Sequence, residues 1–69
     1  MIVRITDIHE EDIHYNKREV LIGRELVIDP HITVKDSKTY PGWSEAYLRD
    51  EDDKSGYFFF GFKFESVPN

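Results

Sequence analysis

Gly56-Tyr57-Phe58-Phe59-Phe60-Gly61-Phe62-Lys63-Phe64 holds six of the ten aromatic residues of this chain. A β-strand sends successive side chains to opposite faces. At that period Phe58, Phe60, Phe62 and Phe64 share one face, and Tyr57, Phe59, Gly61 and Lys63 share the other. The first set is large enough to fill a small core. The second still carries two rings, which alternation turns outward. The stretch therefore predicts both what holds the domain together and where it touches something else.

Working outward, residues 43–49 read as the partner strand, with Ala46 and Leu48 inward and Trp43, Glu45 and Tyr47 outward. Residues 50–56 are a charged hairpin loop. Pairing Arg49 with Tyr57 sets Leu48 against Phe58, Ala46 against Phe60, Tyr47 against Phe59 and Trp43 against Lys63. Small Ala46 then opposes a large ring, and a one-residue slip would turn the inward phenylalanines to water. In this register Trp43, Tyr47, Tyr57 and Phe59 form an outer aromatic patch. Clustered aromatic rings dominate protein contact sites, so these four are the candidate partner-binding residues.

The remaining segments supply the rest of an all-β domain. Residues 1–8 alternate as a first strand, with Val3 and Ile5 on one face. Residues 9–18 are polar and lack a strand period. They predict a long ordered loop pinned by Ile13 and Tyr15, with Arg18 placed to reach Asp7 or Asp12. Val20-Leu21-Ile22 and Leu26-Val27-Ile28 read as two strand pieces separated by a bulge or sharp bend at Gly23. Residues 31–34 suit a short β segment, and 35–38 a turn. Tyr40-Pro41-Gly42 suits a type II turn, with proline and glycine at its two central positions. Residues 65–67 form a brief last strand. Short strands between turn signals point to a barrel or sandwich, and 69 residues favour the barrel.

Composition bounds the function. The length corresponds to one domain, residues 1–69. There is no cysteine to form a disulfide or thiolate site, which suits a reducing cytoplasm. No apolar run is long enough to span a bilayer, and residues 1–5 lack the layout of a signal peptide. Fourteen acids against nine bases give a net charge of −5, a poor supply of cations for phosphate neutralisation. Asp7, His9, Glu10, Asp12 and His14 offer ligand chemistry, but the His9–His14 spacing matches no metal signature, and a solvated polar loop is expected there, with no metal and no cofactor. The acids at 50–53 lack the ligand spacing of a calcium loop. No nucleophile motif, phosphate loop or buried carboxylate pair points to catalysis.

The order of elements, a first strand, a long polar loop, a bent strand and a tight meander, resembles SH3-like barrels. The stretch Arg18-Glu19-Val20-Leu21-Ile22-Gly23-Arg24-Glu25-Leu26-Val27-Ile28 resembles the loop-to-strand transition of KOW-type barrels, in which leucine or isoleucine precedes glycine and an alternating strand follows. Leu26 stands where those barrels place a second glycine, and their usual basic charge is replaced here by an acidic one. The resemblance implies a five-stranded SH3-like small barrel with a long ordered first loop. Short acidic domains of this kind also resemble small uncharacterised proteins of bacteria and their phages. The expected function is a non-catalytic protein-interaction module, a homodimer included, acting through Trp43, Tyr47, Tyr57 and Phe59. The alternative is RNA or single-stranded DNA binding by stacking on the same rings.

Overall fold

A computed structural model describes residues 1–29, 31, 33–52 and 54–68. It contains β1 (Ile2–Ile8), a 3₁₀ turn (Tyr15–Lys17), a single α-turn α1 (Arg18–Leu21), β2 (Glu25–Ile28), β3 (Lys35–Asp36), β4 (Ser44–Arg49) and β5 (Gly56–Ser66). The strands form one antiparallel sheet in the order β2-β1-β5-β4-β3, and β2 also pairs with β4. That extra pairing, at the Leu48–Arg49 end of β4, closes four strands into a ring, and β3 pairs with the Ser44–Glu45 end of β4. The result is the expected five-stranded small barrel of SH3-like type. Closure removes the free edges that a short open sheet would expose.

The hairpin register departs from uninterrupted alternation, and the departure decides which rings are inside. Near the hairpin loop Arg49 pairs with Gly56, Leu48 with Tyr57, Tyr47 with Phe58 and Ala46 with Phe59. At the far end Ser44 pairs with Phe62, so β5 spends one more residue than β4 between these pairs. The extra residue is a β-bulge at Phe60-Gly61, opposite Glu45. A bulge shifts the pleat by one, so the inward set is Tyr57 and Phe59 before it, and Phe62 and Phe64 after it. Phe59 and Phe62 are fully buried, whereas Phe60 is 39% exposed. The expected inward positions of Phe58 and Phe60 are thus corrected, and those of Phe62 and Phe64 stand. The one-residue slip does not expose the core, because Phe59 takes the place that Phe60 vacates.

Val3, Ile5, Ile8, Leu21, Leu26, Ile28, Ala46, Leu48, Phe59 and Phe62 form the core, with Tyr15, Val34, Tyr57 and Phe64 packed around it. Val20-Leu21-Ile22 is not a strand. Its three apolar residues lie on the α-turn and its exit, so only Leu21 points inward, while Val20 is 66% and Ile22 41% exposed. The bend expected at Gly23 is a tight turn: Ile22 is extended, Gly23 has φ +86°, and the Arg24 N–H donates to the Leu21 carbonyl at 3.0 Å. The Tyr40-Pro41-Gly42 turn forms as expected, closed by the Trp43 N–H on the Tyr40 carbonyl at 3.1 Å, with Gly42 at φ +87°. β3 occupies part of the expected 35–38 turn, and the 31–34 segment lies partly outside the described residues. The last strand is the continuous end of β5.

Candidate functional site

The bulge that reverses the pleat also leaves polar backbone groups to be satisfied. β1 ends at Ile8, opposite Phe62, so beyond that point no strand covers this side of β5. The first loop replaces it. The His9 N–H donates to the Gly61 carbonyl at 2.9 Å. The Phe60 and Gly61 N–H groups both donate to Asp12 Oδ2, at 2.8 and 2.9 Å, and the His14 N–H donates to Asp12 Oδ1 at 2.8 Å. Asp12 is only 5% exposed. On the other side the Ser37 hydroxyl donates to the Phe60 carbonyl. The loop expected to be a solvated polar segment is therefore built around one buried carboxylate. Its apolar pin is Tyr15 alone, since Ile13 is 66% exposed. Arg18 reaches neither Asp7 nor Asp12; its guanidinium lies 4.3 Å from the Tyr15 ring centroid.

His14 lies against two inward rings, edge-on to Tyr57 at 5.3 Å and tilted on Phe59 at 5.1 Å. Burial holds its imidazole below the ordinary histidine value of 6.5, against the pull of Asp12 and a hydrogen bond with the Phe58 backbone. The folded state therefore favours the neutral ring, and the unfolded chain binds more protons as the pH falls below about 6.5. The stabilising contribution is complete above that value and is lost as pH drops toward the lowered folded value. In thermal melts, stability is expected to decline as the pH falls below about 6.5, and His14→Gln is expected to flatten that decline. An equal decline in both proteins would contradict the assignment.

The four expected partner-binding residues do not share one surface. Phe59 belongs to the core, and Tyr57 packs against it beneath His14. Both are covered by the chain's own first loop, so their expected outward placement is corrected. Tyr47 is outward and half-buried, lying across Gly56, where an added Cβ would fall 1.8 Å from the Tyr47 hydroxyl. Trp43 is also outward and half-buried, with Lys63 Nζ 4.5 Å from its ring centroid, as the expected Trp43–Lys63 pairing requires. The reversed pleat supplies two replacements on the same side of the sheet. Phe58, opposite Tyr47, and Phe60 lie outward with their ring centroids 4.9 Å apart.

A second aromatic group adjoins Trp43. His9 and Tyr40 stack at 3.9 Å, and Trp43 meets His9 edge-on at 5.1 Å. The stack covers Gly61, where a Cβ would come within 2.7 Å of Tyr40 and 2.9 Å of His9. Only a residue without a side chain fits beneath it. Glu45, outward on β4 but 8% exposed, accepts the Lys38 N–H at 2.9 Å and so holds the 37–43 connection against the sheet. Among the described residues no group of three or more His, Cys, Asp and Glu side chains is arranged to hold a metal ion. No described helix is long and apolar enough to cross a membrane. The roles of Asp12, Phe58 and Phe60 were hidden in the sequence. The available hint was glycine within an aromatic strand, since such a glycine marks a bulge or a close approach. No protein family, curated protein or solved structure matches the chain.

Proposed function

We propose that this chain is a non-catalytic protein-interaction module whose contact face is the outer side of β4 and β5, formed by Tyr47, Phe58 and Phe60 and bounded by Trp43. The observation that carries the proposal is Phe60, 39% exposed and in ring contact with Phe58, on a barrel whose core is complete without either. Rings held on a rigid strand lose little conformational entropy on docking, and aromatic residues supply much of the affinity of protein contacts. Self-association is one form of that contact. The absence of cysteine suits a cytoplasmic setting. The likeness to KOW-type barrels and to small bacterial or phage proteins rests on the Leu21-Ile22-Gly23-Arg24 stretch and on size and charge.

The alternative reading, stacking of RNA or single-stranded DNA bases, draws on Lys63 at the Trp43 ring and on Arg49, two residues from Tyr47 along the same face of β4. The net charge of −5 opposes it. Sedimentation across a concentration series, capture from a cell lysate and oligonucleotide retention test the readings together. Phe58→Ser with Phe60→Ser is expected to abolish self-association or partner capture while the barrel stays folded. Unchanged association and capture in that variant overturn the proposal. Salt-sensitive retention on an oligonucleotide, lost in the same variant, favours the alternative.

A further inference from the structure

We propose that the hollow where β1 runs into the first loop receives a guanidinium or ammonium group from a basic segment of the partner. This rests on the reading of the chain as an interaction module and adds the partner's chemistry. The hollow, of about 270 Å³, is lined by Asp7, Ile8, His9, Glu10, Tyr15 and Trp43 and opens to solvent. Its walls combine carboxylates with aromatic rings, the two groups that attract an organic cation.

Among the described residues, the chain's own cations show that preference on the rings and leave the carboxylates without an ion pair. Lys63 is the strand partner of Asp7, yet its Nζ lies over the Trp43 ring at 4.5 Å. Arg18 lies over Tyr15 at 4.3 Å. Among the described residues, neither Asp7 nor Glu10 takes part in an ion pair. Asp7 Oδ1 accepts the Ile8 N–H at 2.9 Å, which fixes the carboxylate at the rim. Two carboxylates thus line an aromatic-walled hollow, and among the described residues no cation forms an ion pair with either. The net charge of −5 draws basic partners toward this surface at long range.

Trp43 is the only tryptophan, so its indole N–H gives one resonance at the proposed site. The test is titration of the protein with the peptide acetyl-Gly-Arg-Gly-amide, followed by proton–nitrogen correlation spectra. The peptide with citrulline in place of arginine is the uncharged control. A saturable shift of the Trp43 indole is expected with arginine alone. Asp7→Asn with Glu10→Gln is expected to weaken it about tenfold, the effect of losing two exposed charge contacts. Asparagine retains the acceptor for the Ile8 N–H, and Glu10 is exposed, so this variant keeps the fold. No saturable shift, an equal response to citrulline, or an unchanged response in the double variant overturns the proposal. Phe58→Ser with Phe60→Ser is expected to leave the titration intact. Failure of the titration beside a loss of association in that variant therefore removes the cation site alone, and the reverse result removes the aromatic face alone.

Discussion

Asp12→Ala is expected to remove about 3–5 kcal/mol of stability, because one truncation strands several donors at once. The Phe60, Gly61 and His14 N–H groups all end on this carboxylate, which is nearly excluded from water. Each buried donor left without an acceptor costs about 1–3 kcal/mol, and bonds to a charged group are the stronger kind. A domain of 69 residues has a total stability of roughly 3–10 kcal/mol. The variant is therefore expected to be largely unfolded at 37 °C, or to unfold at much lower urea concentration than the parent. Asp12→Asn keeps one acceptor oxygen and is expected to lose less. A loss below about 1 kcal/mol for Asp12→Ala would show that the loop does not replace the missing strand beside β5.

The second large effect is a contrast between adjacent residues. Phe59→Ala is expected to cost about 3–5 kcal/mol, the range for truncating a buried aromatic ring. Phe60→Ala is expected to change stability by less than about 1 kcal/mol, since its ring lies outside the core. Urea midpoints of the two variants measure both values. Uninterrupted alternation along β5 demands the opposite order, so the pair of measurements reads the position of the bulge directly. A deep loss in Phe60→Ala with a mild one in Phe59→Ala would restore the simple pleat and remove Phe60 from the proposed contact face.

The barrel was legible because its strands carry strong local signals. Alternation in β4 and in the Val3–Ile5 part of β1, the Pro41-Gly42 turn and the density of aromatics in β5 all act over a few residues and formed where expected. A register shift between Ile5 and Asp7 breaks the alternation of β1 and brings Ile8 into the core beside Val3 and Ile5. The parity of β5 was not legible, because either face of Tyr57-Phe58-Phe59-Phe60 can fill a core. A bulge at Phe60-Gly61 resolves the choice, and it depends on Tyr40 and His9 seating over Gly61 and on Asp12 capping the freed N–H groups. The contacts of Asp12 and His9 join residues about fifty positions apart and that of Tyr40 about twenty, beyond the reach of a local pattern. Val20-Leu21-Ile22 misled for a related reason. Three consecutive apolar residues suit a buried strand, but the chain needed only Leu21 inside and turned the other two outward. Half of the expected aromatic patch survives, Trp43 and Tyr47, and the other half exchanged places with its sequence neighbours.

The reversed pleat is the claim on which both the core and the contact face depend. Nuclear Overhauser contacts between assigned phenylalanine rings and the methyl groups of Ala46 and Leu48 test it most directly. The register pairs Ala46 with Phe59, so strong contacts are expected from the Phe59 ring to the Ala46 methyl and none from the Phe60 ring. Strong contacts from the Phe60 ring to Ala46, with the Phe59 ring silent, would contradict the account.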